Sequence, residues 1–229
     1  MMTDSSARRR RGRPPLDDEN AVDEQECLRV ALEAFAQSGF DGTSVREVAR
    51  TLNISHGLLN AKFGSKRALW EAAVDHGMET LHAHMSRLPE KSADAGDIVE
   101  RMRIACRNFV VGLTEMPAIV RLMNVEGASP SDRLDHIATK FFRRRTWPLQ
   151  ILLREGQQAG LFRNVHPTVP FTLLAHGAGA LVALRPLLHA ADAAQNNPIQ
   201  DACEAADIIV QGLLVDRALM ADSSALDTP

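Results

Sequence analysis

The chain has 229 residues, 45% of them apolar and 24% charged, with 26 basic and 29 acidic side chains for a net charge of −3. That composition suits one or two soluble domains with a core, and no apolar run approaches the roughly 20 residues of a membrane span, so no membrane partner is expected. Cys27, Cys106 and Cys203 are too few, too scattered and odd in number for a disulfide framework, and the basic N-terminus is followed by no apolar stretch that would make it a secretory signal; a reduced cytoplasm is the expected location.

Charge is unevenly placed. Residues 1–15 carry five arginines (Arg8, Arg9, Arg10, Arg11 and Arg13) against Asp4, and residues 55–67 carry Lys62, Lys66 and Arg67 with no acid. Residues 71–229 hold 15 basic and 19 acidic side chains. The net charge argues against a generic nucleic-acid binder, but positive charge gathered at one end of an otherwise acidic chain is the footprint of a phosphate-binding module.

In chain order the periodicity predicts an all-α protein of about nine helices behind a polar, unfolded arm at 1–19. The first helix, roughly 20–38, sets Leu28, Ala31, Leu32, Phe35 and Ala36 on one stripe and ends at Gly39. A short second helix spans about 44–52, where Ser44 and Glu47 match a capping box and Thr43 is another candidate cap. Val45, Val48, Ala49 and Leu52 form its stripe. Asn53 tolerates the left-handed conformation of a sharp turn, Ile54 packs that turn, and Ser55 caps a two-turn third helix ended by Gly64. Ser65 caps a long fourth helix to Leu88, stopped by Pro89. Further helices are predicted at roughly 96–116, 118–126, 131–160, 168–189 and 199–221, with Pro148 bending the third of these and Gly160 ending it. Helix, four-residue turn, helix within the first 70 residues outlines a three-helix DNA-binding unit.

The third helix carries the function. Leu59 and Phe63 share the side that faces Val48 and Leu52. The opposite side is centred on Gly57 and Ala61 and flanked by His56, Leu58, Asn60 and Lys62. A short helix with a small, non-acidic outer face suits the major groove of double-stranded DNA. Lys62 and Lys66 would then lie near phosphates, with helix N-termini adding neutral contacts. Any small helical bundle also contains short capped helices with one polar face, so the outline alone leaves a plain structural role open.

The exact residues go further. The stretch from Cys27 to Val74 resembles the N-terminal domain of the tetracycline-repressor-like (TetR) family. Ala31, Phe35, Gly39 and Phe40 match its first helix, and Thr43, Ser44, Val45, Val48 and Ala49 its second. Ile54, Ser55, Gly57, Leu59 and Phe63 match its third, and Ser65, Lys66 and Leu69 the start of its fourth. The rest of the chain is similar to the family in length and helical layout. The resemblance implies a DNA-contacting set of Thr43, Ser44, Ser55, His56, Gly57, Leu58, Asn60, Ala61, Lys62 and Lys66. One departure stands out: the family carries a phosphate-contacting Tyr where this chain reads Asn60-Ala61-Lys62, and Leu58 replaces a Thr-like contact. Asn60 can bond a phosphate or read adenine, and Leu58 can touch a thymine methyl or only pack. In the arm, Arg11-Gly12-Arg13-Pro14 resembles the core of an AT-hook, through which Arg11 and Arg13 would enter a narrow A·T minor groove. The arm reads equally well as a solvated tail adding nonspecific affinity.

For the remainder, the resemblance implies a DNA-binding domain at 20–70, an effector-binding and dimerisation domain at 71–221 and a flexible tail at 222–229. Met102, Phe109, Met116, Met123, Phe141, Trp147 and Leu152 are candidate pocket residues, with Arg121 or His136 as a polar anchor; the same apolar residues can equally be plain core. Leu174, Gly177, Ala178 and Leu181, with Ile209 and Leu213, are the candidate dimer seam, unless one chain buries them by itself. No enzyme motif is present, His76, His82 and His84 read as solvated rather than metal-binding, and neither cofactor nor metal is expected. The expectation is a homodimeric DNA-binding transcription regulator, a repressor released from a pseudo-palindromic operator by an unidentified small-molecule effector. The other reading, an architectural or nucleoid-associated DNA binder without an effector, takes its motive from the arm.

Overall fold

The computed structural model describes residues 23–88, 95–191 and 197–215. The arm with Arg11 and Arg13, and the C-terminal tail, lie outside them. Helix α1 (Glu24–Gly42) is capped by Asp23 and buries Cys27, Leu28, Ala31, Leu32, Phe35 and Ala36, the stripe expected. Its regular part ends at Gly39, whose φ of 69° is open to glycine and costly for other residues. α2 (Val45–Thr51), α3 (His56–Phe63) and α4 (Lys66–Ser86) follow. Asn53 takes the left-handed conformation (φ 54°) between α2 and α3. The Ser55 hydroxyl accepts from Leu58 N–H at 3.0 Å and the Ser65 hydroxyl from Ala68 N–H at 3.1 Å, so α3 and α4 start where the caps require. Ser44 is the N-cap of α2 by position only: its side chain accepts no capping hydrogen bond, so the expected capping box does not form.

α4 is the spine. It packs on α1, on α5 (Ala95–Glu115) and on α6 (Pro117–Glu126). At Gly77 a Cβ would stand 3.1 Å from both Leu32 and Ile119, which is how closely α1, α4 and α6 approach. α7 (Asp132–Ile137), capped by Ser131, runs into a π-helical stretch over Ala138–Arg143. The helix expected over 131–160 therefore does not run through. The helix ends after Arg143, the buried Trp147 indole donates to the Phe141 carbonyl at 2.8 Å, and Pro148 starts α8 (Pro148–Gln158) rather than bending a longer helix. A proline at the first helical position loses no hydrogen bond, so a new start costs less than a kink.

The helix expected over 168–189 is likewise segmented, into α9 (Thr168–Thr172), a π-helical stretch over Leu173–Ala178, α10 (Gly179–Ala183) and α11 (Arg185–Ala190). α12 (Pro198–Leu213) lies against α5, tied to it by a bidentate Arg107–Asp207 pair. α12 stops at Leu213, short of the expected 221, because Leu214 turns extended to form an antiparallel bridge with Phe162. Arg163 N–H donates to the Leu213 carbonyl at 2.8 Å and Val215 N–H to the Leu161 carbonyl at 3.0 Å. Among the described residues this bridge is the sole extended pairing, and no helix is long and apolar enough to cross a membrane.

Candidate nucleic-acid interface and the cavity behind it

The α2–turn–α3 corner is built on three buried side chains, Val48, Ala49 and Leu59, each no more than 2% exposed. With Leu59 held inward, helical geometry turns the next residues outward: His56, Gly57, Leu58, Asn60, Ala61 and Lys62 are all exposed, Leu58 at 45%. A methyl added at Gly57 would find only the Ser55 hydroxyl, at 3.9 Å, so this face is open. The presented surface is small at its centre (Gly57, Ala61), hydrogen-bonding on its flanks (His56, Asn60) and cationic at its edge (Lys62).

Thr43 corrects the sequence reading. It is 5% exposed, and its hydroxyl donates toward the Gly39 carbonyl at 2.6 Å and the Ala34 carbonyl at 3.1 Å. It fixes the corner between α1 and α2 and is not free to meet a phosphate. Ser44 beside it is half-buried, with no side-chain hydrogen bond among the described residues. Lys66 donates to the Asp41 carbonyl at 3.1 Å and lies 4.9 Å over the Phe40 ring, so it braces the corner while keeping donors to spare. Lys62 pairs with Glu24 at 3.1 Å, a half-exposed contact worth at most about 1 kcal/mol and readily exchanged for a phosphate. Sequence reasoning passed over Arg46 and Arg50, which are exposed on α2 with no ion pair among the described residues. Their i, i+4 spacing away from Val48 and Ala49 was the available signal.

Behind this head, α4 leads into a cavity of about 260 Å³. Of the candidate pocket residues, Phe109, Met123 and Trp147 line it. Phe141 and Leu152 are instead buried core at 0% and 1% exposure, Met116 is core as well, and Met102 borders a separate, much smaller void between α5, α8 and α12. Arg121 is no ligand anchor, being paired with Glu33 across the α1–α6 contact. His136 is occupied too, 2.9 Å from Asp75 and edge-on to Trp70. Most of the candidate dimer-seam residues are covered within the single chain. Leu174, Ala178 and Leu213 are buried within the single chain, Leu181 and Ile209 are half-buried, and Gly177 alone of the six is exposed. The large apolar residues left outside in this region are Leu173, Leu184, Leu187, Ile199 and Ile208.

One histidine here titrates abnormally. His82 sits edge-on to Trp147, and burial, seconded by the Arg145 guanidinium, holds its pKa below the ordinary 6.5. The unfolded chain therefore binds the proton more readily than the folded one. The resulting stability is complete above the unfolded value and is lost as pH falls through that value toward the folded one. Thermal melts should show a midpoint falling between about pH 7 and pH 5, and His82→Gln should flatten part of that slope; an unchanged slope would remove His82 as its source. The cysteines are quiet: burial drives Cys106 up to about 12 and raises Cys27 and Cys203 as well. Among the described residues no group of three or more His, Cys, Asp or Glu side chains could hold a metal.

Comparison with known proteins agrees with the geometry of the head. Residues 28–73, from α1 into α4, match the family model described as bacterial regulatory proteins, tetR family. The chain carries a tetR-family domain. Among curated relatives, the HTH-type transcriptional repressor Rv3405c of Mycobacterium tuberculosis is 36% identical over 100 residues, 44% of this chain and 49% of that protein. The regulator BetI of Burkholderia mallei is 31% identical over 70 residues, 31% of this chain and 36% of that protein. The chain thus spans about half or less of the length of these relatives. Solved tetR-family structures share the fold over about four fifths of the chain. PfmR from Thermus thermophilus superposes with a TM-score of 0.57 at 24% identity over 82% of this chain and 99% of its own. HI0893 from Haemophilus influenzae does so with a TM-score of 0.61 at 16% identity over 83% and 96%. The described residues therefore share the all-α fold of these structures, with the helix-turn-helix at the N-terminal end.

Proposed function

We propose that this protein is a homodimeric, one-component transcription regulator that represses from a pseudo-palindromic operator and is released by a small molecule. On this reading residues 20–70 bind DNA and residues 71–221 bind the effector and pair two copies in the cytoplasm. The observation that carries it is α3: six outward residues, Lys62 among them and no acid, held by Leu59 beside Arg46, Arg50 and Lys66. Such a helix lies in a major groove, with Asn60 and His56 toward base edges and the cations toward phosphates. The exposed apolar residues Leu173, Leu184, Leu187, Ile199 and Ile208 suit a second copy, with which two heads would stand about one DNA turn (~34 Å) apart.

The switch runs through α7. Its inner residues Leu134 and Ile137, with Ala138 just beyond, line the cavity, while its outer residues grip the head. Arg67, in the first turn of α4, pairs with Glu71 and with Asp132 at 2.5 Å. Arg133 is held by the buried Glu126 at 2.9 Å and covers the Phe40 ring at 4.7 Å. His136 and Lys140 both reach Asp75 on α4. A ligand that displaces α7 thus tilts α4 and the heads, and release of about a hundredfold requires it to prefer the released state by about 3 kcal/mol.

The test is selection of bound duplexes from a random pool at two salt concentrations, with and without the arm. An enriched palindrome is expected; uniform A·T preference would replace the regulator with an architectural binder, a reading against which the cavity weighs. With the operator in hand, Asp132→Ala should leave basal affinity within a few-fold but cut effector-driven release well below that of the parent protein. Full release in that variant would exclude the Arg67–Asp132 link as the relay.

A further inference from the structure

The cavity's walls define what it can hold. Four rings converge on it: Phe171 lies 5.7 Å from Phe109, 6.2 Å from Phe142 and 6.1 Å from Trp147, centroid to centroid. Met78 and Met123 close it with polarisable thioethers that suit aromatic faces. Of the lining side chains only His176 is polar, and it is exposed at the rim with no hydrogen-bond partner among the described residues. The Trp147 indole N–H is already spent on Phe141. No carboxylate and no Lys or Arg lines the wall, so a buried cation would lack a counterion and an anion would have one imidazole at best. The nearby cations Lys140 and Arg145 are engaged outside it, with Asp75 and Glu79.

Two further observations point to a ligand. Both π-helical stretches border this space, Ala138 and Phe142 coming from one and Ala175 and His176 from the other. A π-turn sacrifices regular hydrogen bonding and recurs at functional sites, here widening two helices around one void. The volume is also telling: an apolar cavity of about 150 Å³ takes up benzene. At 260 Å³ this one admits a fused two-ring system or a ring with a short chain.

We propose that the ligand is an uncharged, flat, aromatic molecule of about two fused rings with a single hydrogen-bonding group, stacked among Phe109, Phe142, Trp147 and Phe171 and bonded by that group to His176. The assignment rests on the effector reading above and names its chemical class. Its test uses four isosteric probes on the full chain, by calorimetric titration without DNA: 1-naphthalenemethanol, 1-methylnaphthalene, 1-naphthoate and 1-naphthylmethylammonium. The alcohol is expected to bind at least about tenfold more tightly than either charged isostere. It should also bind more tightly than the hydrocarbon, an advantage that His176→Ala abolishes while leaving hydrocarbon affinity intact. Phe171→Ala should weaken all binding. His176 is exposed, so its removal does not threaten folding. A charged isostere that binds as tightly as the alcohol, an alcohol advantage that survives in His176→Ala, or no binding by any probe overturns the proposal. Binding that leaves operator affinity untouched would instead count against the switch and not against the ligand class.

Discussion

Ala61→Glu is expected to lower operator affinity about a hundredfold or more while leaving the melting temperature nearly unchanged. Ala61 is exposed at the centre of the outward face of α3, and glutamate is a good helix former, so the folded chain accommodates it. Surface substitutions of this kind shift stability by about 0.5 kcal/mol or less. In the groove the same side chain brings bulk and a negative charge against base edges lined by phosphates. The loss of about 1–3 kcal/mol expected per misfitted contact is incurred twice in a dimer. Fluorescence anisotropy on the selected operator, beside a thermal melt, measures both quantities. Ala61→Ser, which adds one small hydroxyl, should stay within a few-fold of the parent. Retained affinity in the glutamate variant would mean that α3 does not enter the groove.

The largest stability effect is expected at Gly156. It is buried in the last turns of α8, and a Cβ there would overlap the ring of Phe162, itself 3% exposed. Leu161 and Phe162 both donate backbone N–H groups to the Gly156 carbonyl, at 2.8 and 3.2 Å, so the chain folds back tightly onto its own helix. Gly156→Ala must push the ring out and strain the Phe162–Leu214 bridge, which joins α8 to the end of α12. A loss of about 2–4 kcal/mol follows from overpacking plus an expelled aromatic, or roughly 5–15 °C in melting temperature at matched protein concentration. The mechanism has its own check. In the double variant Gly156→Ala, Phe162→Ala the overlap is gone, so it should be no less stable than Phe162→Ala alone, a strong departure from additivity. Additive losses would place the cost of Gly156→Ala elsewhere.

Sequence by itself determined the head. Its landmarks are local: Ser55 and Ser65 cap the residues three positions on, Gly39, Asn53 and Gly64 take the positive φ that such corners need, and the short stripes of α1 to α3 have one available core. Each depends on neighbours within a turn or two, and the resemblance through Val74 adds up such local constraints. Even here a side chain's use depended on packing: Thr43 fits both a cap and a phosphate contact on paper, but the corner consumes its hydroxyl, and Ser44 caps by position without a bond. In the second half only the tertiary structure decided. Periodicity marks Phe141, Leu152 and Trp147 alike as apolar and inward, but it cannot say which of them meets packed atoms and which meets a void. That depends on where α4, α5, α6 and α7 stop against one another. It likewise puts Leu174, Ala178 and Leu213 on an apolar face, whereas the packing of α5, α12 and the second π-helical stretch on one another covers that face and leaves Leu173, Leu187 and Ile208 to the outside. Burial is written in the pattern of a helix; the partner that provides it is set by distant segments, because the hydrophobic effect rewards removal from water without regard to which surface does the covering.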